Sequence, residues 1–143
     1  MSSRTAAALP TFERITTAFE VFDDWEDRYR YLIDIGKKLA AFPEADKTEV
    51  NRVQGCTSRV WLIYALDDEQ RFLFQGDSDS AIVKGLVTVL LSLYSNHTAE
   101  EILAVDVKAA LEQLDLANHL STSRRNGLFS MSERIRSQAQ AGL

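Results

Sequence analysis

The sequence predicts an α+β fold: a compact three-stranded antiparallel sheet packed with helices from both ends of the chain. Three observations carry that expectation. Apolar residues recur at helical spacing from Phe12 to Ala40 and again from Ser80 to Ala139, whereas the stretch from Val60 to Phe74 alternates with a period of two. The alternation is broken once, by Asp67-Asp68-Glu69-Gln70, as a hairpin requires. So small a sheet is not stable alone, so helices must cover one of its faces.

The first helix follows Thr11, a candidate N-cap after Pro10, with Phe12, Ile15, Phe19 and Phe22 at helical spacing. A second begins after Asp23 or Asp24. Trp25, Tyr29, Leu32, Ile33, Gly36, Leu39 and Ala40 form its apolar face, and Pro43 is expected to end it. Glu44 to Asn51 reads as polar connection, and a short strand around Arg52 to Gln54 is the candidate third member of the sheet. Val60 to Leu66 is β-branched and aromatic and apolar on both faces, with Phe72-Leu73-Phe74 returning beside it. Val83, Leu86, Val87, Leu90, Leu91 and Tyr94 then mark the most buried helix, from Ser80 to Tyr94. Thr98 and Glu101 match a capping box ahead of a short helix, and another is expected from Asp106 to Leu116. Leu128, Met131, Ile135 and Ala139 stripe the last helix, with Ser123 as candidate cap and Gly142 as its stop.

Composition narrows the function. A length of 143 residues reads as a single domain over 1–143, able to bury about 70% of its unfolded surface without a metal or disulfide staple. Residues 1–10 read as a disordered leader, lacking the apolar core of a secretory signal, and a cytoplasmic location is expected. A net charge of −5 argues against general binding to nucleic acid or anionic membranes. No apolar run approaches the ~18 residues of a membrane span. One cysteine cannot form an intrachain disulfide, nor supply the four thiolates of an ordinary iron–sulfur or structural zinc site. With only 2 histidines besides, no metal centre is expected. The charge is uneven: 12 Lys/Arg against 20 Asp/Glu up to Leu120, then 4 Arg against Glu133 alone. The basic end either steers a partner or simply faces water.

Cys56 is the residue on which chemistry turns. Lone cysteines are often inert core residues, but this one stands among Asn51, Arg52, Gln54, Thr57, Ser58 and Arg59, directly after Gly55. It therefore lies on a loop leading into a strand, where functional groups concentrate. Arg52 and Arg59 would favour the thiolate if either pointed inward. His97, in a turn before a helix, and His119 are the available bases, each with a structural role as the plainer reading. No nucleophile elbow, Walker loop, zinc-protease helix or dinucleotide fingerprint is present. Gly76 to Ser80 joins strand to helix and suits a helix N-terminus. In Ser121 to Leu128, Gly127 costs a helix about 1 kcal/mol relative to alanine, which a close backbone approach to the Cys56 loop would explain. Arg124 or Arg125 would then stand near the thiol.

Three segments, VQGCTSRVWL (Val53–Leu62), GDSDSAIVKGL (Gly76–Leu86) and HLSTSRRNGL (His119–Leu128), together resemble the SufE family of sulfur acceptors, which includes CsdE-type proteins. The match runs in the family's order from about Phe12 to Ala139, and departs from it at Thr122, where the family often has proline. The resemblance implies an IscU-like fold, although a single cysteine rules out that scaffold's cluster chemistry. It implies that Cys56 accepts persulfide sulfur from a PLP-dependent cysteine desulfurase of the SufS or CsdA type. It also implies that the chain stimulates that enzyme and passes sulfur to a SufB-type component of iron–sulfur assembly or another acceptor. The cofactor, PLP, belongs to the partner, and none is expected in this chain. By the same resemblance Arg124 lies near the Cys56 loop and Asp77 is a carboxylate beside it, while the thiol rests in an apolar pocket and emerges on docking. Two other functions stay open from the residues: a noncatalytic adaptor that activates a desulfurase by docking, and a hydrolase pairing Cys56 with His119.

Overall fold

The computed structural model describes residues 9–143, so the leader expected over 1–10 falls outside the described residues except for Leu9 and Pro10. Helices α1 (Phe12–Val21) and α2 (Trp25–Lys37) open the chain. Each is capped by a side-chain oxygen accepting a backbone N–H three residues on, from Thr11 to Arg14 and from Asp24 to Asp27. Strands β1 (Val60–Leu66) and β2 (Arg71–Ser78) form the hairpin, in a register that sets Val60 opposite Ser78 and Leu66 opposite Phe72. Its turn is held by Asp67, whose carboxylate accepts from the backbone of Glu69 and Arg71, both at 2.9 Å. The chain continues through α3 (Ala81–Tyr94), β3 (His97–Thr98), α4 (Ala99–Ala104), α5 (Val107–Gln113) and α6 (Thr122–Ala141).

The architecture is the expected α+β one: a three-stranded antiparallel sheet in the order β1-β2-β3, covered by α3, on which helices from both ends of the chain pack. Its third member is not the expected one. Arg52 makes a single bridge to Trp61, because the chain turns away at Gly55, whereas β3 pairs with β2 through Arg71–Thr98 and Phe72–His97. Two residues merging directly into a capping box left no periodicity to read, so His97 is a strand residue and not a turn residue.

Other boundaries shift for local reasons. Helix α2 stops at Lys37, well before Pro43, where the backbone N–H of Lys38 tightens onto Ile35 and Gly36. Pro43 instead precedes a 3-10 turn at Glu44–Asp46. Helix α5 ends at Gln113, short of Leu116, and the chain reverses at Asp115 with φ of 57°. The cap of α6 is Ser121 rather than Ser123, its hydroxyl accepting the Arg124 N–H at 3.2 Å.

Helix α3 is the centre of the core. Leu86, Val87, Val89, Leu90, Leu91 and Tyr94 are each at most 1% exposed, so their apolar surface is almost wholly removed from water. The Tyr94 hydroxyl is satisfied by Ser132 of α6 at 2.6 Å. Helix α2 lies against α3 at backbone contact: a Cβ on Gly85 would fall 2.2 Å from the Leu32 carbonyl oxygen. Among the described residues no helix is long and apolar enough to cross a membrane.

Candidate functional site

The segment between Asn51 and Val60 is tied at its base and free at its tip. Val53 N–H donates to the Val60 carbonyl at 2.8 Å and Leu62 N–H to Asn51 at 3.0 Å. On the far side, Arg59 N–H donates to the Asp79 carboxylate at 3.1 Å. The tip turns at Gly55, whose φ of 88° is a left-handed conformation that side-chain-bearing residues rarely adopt.

The tip docks on one face of α6, antiparallel to it. Thr57 and Ser123 share a hydrogen bond between their hydroxyls. The Cys56 thiol donates to the Gly127 carbonyl over 3.6 Å. Gly55 lies against Ser130, whose Oγ would be 2.5 Å from any Cβ placed there. Arg134 reaches the incoming backbone, donating to the carbonyls of Val50 at 2.6 Å and Arg52 at 3.2 Å. Positions 123, 127, 130 and 134 are spaced as one helix face. This face went unread in the sequence, where the apolar stripe Leu128-Met131-Ile135 that packs α6 on the core was the stronger periodicity. Serine and glycine at that spacing, closed by an arginine, were the signal available.

Beneath and beside Cys56 lies a cavity of about 330 Å³. Val83 and Leu86 of α3 and Met131 of α6 supply apolar wall, while Ser58, Ser121 and Arg124 supply polar wall. The half-buried thiol is pushed above its ordinary value by desolvation, with the Arg52 guanidinium pulling the other way. Burial thus outweighs Arg52, the one flanking arginine whose charge is felt at the thiol and which, as expected, favours the thiolate. Arg52 is turned toward Glu49 at 3.5 Å, and Arg59 is exposed and lines no part of the cavity. A protonated thiol is also the species that can donate to Gly127.

Arg124 is exposed at the cavity wall, and among the described residues it takes part in no ion pair. Arg125 is committed elsewhere, donating to the Ala117 carbonyl at 2.9 Å. Asp77 stands opposite Trp61 near the end of β2, its carboxylate held by Lys47 at 3.2 Å and Lys84 at 3.4 Å, and it does not line the cavity. Asp79 is the carboxylate that touches the loop. His119 stacks on Trp25 with centroids 3.9 Å apart, and its Nδ1 lies 3.0 Å from the Asp115 carbonyl. It is absent from the cavity wall. Among the described residues no three His, Cys, Asp or Glu side chains gather as metal ligands.

Comparison with known proteins places the chain in a family. The family described as the SufE Fe-S metabolism associated domain matches residues 13–139. A SufE-like protein of Rhizobium meliloti is 43% identical over 138 residues, covering 94% of this chain and 99% of that protein. One of Rhizobium etli is 43% identical over 135 residues, covering 92% and 91% respectively. The solution structure of a hypothetical protein from Thermus thermophilus superimposes with a TM-score of 0.73 at 17% identity, over 93% of this chain and 96% of that one; at that identity it shows the fold. With the three sequence segments meeting around one thiol and the match extending over nearly the whole chain, the protein belongs to the SufE family.

Proposed function

We propose that this chain is a sulfur carrier. It takes persulfide sulfur from a PLP-dependent cysteine desulfurase of the SufS or CsdA type onto Cys56, stimulates that enzyme, and passes the sulfur to a SufB-type acceptor in the cytoplasm. The observation that carries the reading is a single thiol at the tip of a loop, docked at a cavity beside Arg124, which takes part in no ion pair among the described residues. A sulfur-transfer role is what the family supports; the partner and the steps are our reading.

The resting thiol is neutral and shielded, which protects it from oxidation between encounters. When the desulfurase draws the tip off α6, the thiol regains water and loses its proton more readily. The Cys56 thiolate attacks the terminal sulfur of the partner's cysteine persulfide. A new S–S bond forms at Cys56 Sγ, the donor's S–S bond breaks, and the donor cysteine leaves as thiolate and takes up a proton. No net oxidation occurs. Arg124 supplies positive charge to the anion that forms, and Asp77, held between two lysines, anchors the end of β2 that pairs with the start of β1, into which the loop leads. Transfer onward repeats the exchange with the acceptor's thiolate as nucleophile.

The test is intact mass after mixing the protein with an active desulfurase and free cysteine. A gain of about one sulfur atom, reversed by reductant and absent in Cys56→Ser, is expected. No gain with the cognate enzyme would overturn the carrier reading. Stimulation retained in Cys56→Ser would mean that the chain acts as a docking adaptor.

A further inference from the structure

The tip and the base of the Cys56 loop are joined to α6 by unlike means. At the tip the links are neutral: the hydroxyl pair of Thr57 and Ser123, and the long bond from the thiol to the Gly127 carbonyl. At the base one guanidinium is given over to main chain. Arg134 Nη2 donates to the Val50 carbonyl at 2.6 Å and Nη1 to the Arg52 carbonyl at 3.2 Å. Among the described residues Arg134 takes part in no ion pair. Apolar burial does not hold the stretch it grips: Thr48, Glu49 and Val50 are exposed, Val50 to 81%. A planar fork of N–H donors suits two carbonyls on neighbouring turns of chain better than a single ammonium does. Backbone bonds at Asn51 and Val53 tie this limb to β1, and Arg134 ties it to α6.

We infer that Arg134 is a positioning residue: by pinning the base of the Cys56 loop to α6, it holds the tip where weak contacts suffice to keep the thiol docked. What the pin serves rests on the sulfur-carrier reading, in which the thiol stays covered until a partner uncovers it. The physical reason is effective concentration. A few neutral contacts offset little of the entropy of ordering a free segment. With the base fixed, the tip between the paired Val53 and Val60 has only a short span to close, and the same contacts hold it. Arg134 does not act as a charge on sulfur. The cations at the site are Arg52 on the loop and Arg124 on α6, and α3 contributes only Val83 and Leu86 to the cavity. The two roles differ in sign. Loss of a neighbouring cation would raise the thiol's value and slow its reaction, whereas loss of a pin uncovers the thiol and does the reverse.

Arg134→Met and Arg134→Lys test it in the full chain. Alkylation of Cys56 by iodoacetamide is followed by intact mass across pH, beside the urea midpoint of each protein. In Arg134→Met the rate at neutral pH should rise about tenfold, as loss of one hydrogen bond to a charged group would give. Its pH midpoint should fall toward that of a free cysteine, with the urea midpoint little changed. Arg134→Lys keeps the charge without the fork, so it should move the same way, by about threefold. An unchanged rate in Arg134→Met would overturn the inference. So would a slower rate with a raised pH midpoint, which would make Arg134 a charge acting on the thiol. Full wild-type behaviour in Arg134→Lys would sink it too, because charge without the fork would then suffice. A rise in rate no larger than the loss of global stability would assign exposure to unfolding and not to the loop. Sulfur loading by a desulfurase judges the carrier reading separately: a wild type that gains none ends that reading, while alkylation still decides the pin.

Discussion

Two pairs of elements in this molecule meet through glycine, at different distances. Between α2 and α3, Gly36 and Gly85 bring backbone onto backbone, and a Cβ on either would fall within 2.7 Å of main-chain atoms. Between the Cys56 tip and α6, Gly127 leaves ordinary contact distance, and the remaining links are one hydroxyl pair, one long S–H···O bond, a serine against Gly55 and, at the base of the loop, Arg134 on the carbonyls of Val50 and Arg52. The first interface is dry: Leu32 is fully buried, and Gly36 and Gly85 are buried with it. The second has Gly55, Thr57 and Ser123 exposed. Where packing is this close, separation means unfolding; where links are few and wet, one segment can leave while the rest stays folded. The proposed carrier role needs both behaviours in one chain.

The sharpest way to break the contrast is Gly85→Ala. The methyl would have to displace the Leu32 carbonyl, so unfolding by urea should show a loss of about 3 kcal/mol or more, despite the gain in helix propensity. A loss below about 1 kcal/mol would show that α2 slides at little cost, and the two interfaces would no longer differ in kind. Next in size is Thr57→Val, which removes the exposed hydroxyl pair at constant shape. The net worth of such a bond is near the low end of about 0.5–1.5 kcal/mol, so alkylation of Cys56 by iodoacetamide at neutral pH should quicken about threefold, with stability little changed. An unchanged rate would assign retention of the tip to Gly55–Ser130 and Arg134 instead.

The smallest effect is the pH dependence of the thiol. Burial raises the Cys56 value in the folded protein above the ordinary 9.0, so the folded state holds this proton more tightly than the unfolded one. Its contribution to stability is fully present below the unfolded thiol value and is lost as pH rises through the folded value. The midpoint for alkylation should accordingly lie above that of a free cysteine, and Arg52→Gln should move it further up by removing the opposing cation. A midpoint at or below the free value would mean that the tip spends its time off α6.

Much of this was legible in the chain. The cap at Thr11 and the capping box at Thr98 and Glu101 are local chemistry, satisfied within three residues, and each formed in the structure; Asp24, Ser80 and Asp106, read only as the places where helices begin, are caps as well. The hairpin and the buried α3 stripe follow from periodicity over many residues. Strand β3 was not legible, because two residues carry no period and their pairing to Arg71 and Phe72 depends on where α3 delivers the chain. The end of α2 was misjudged because Leu39 and Ala40 continue the apolar pattern past the last helical residue.

For the site, sequence alone singled out the candidate nucleophile: one cysteine, after a glycine, in a polar setting ahead of a strand, within segments that resemble one family. It determined too that Arg124 was a candidate neighbour and that Gly127 required an explanation. Tertiary structure decided everything that depends on what stands across from the loop. It set the thiol's protonation by burial and not by its neighbours in sequence, turned Arg52 to Glu49 and Asp77 to two lysines, and left Arg124 at the cavity wall. The reason is physical. Caps and periodicities involve groups a few residues apart and are written locally, whereas desolvation and the docking of the loop depend on elements far apart in the chain, such as Arg134 on the backbone of Val50, 84 positions away.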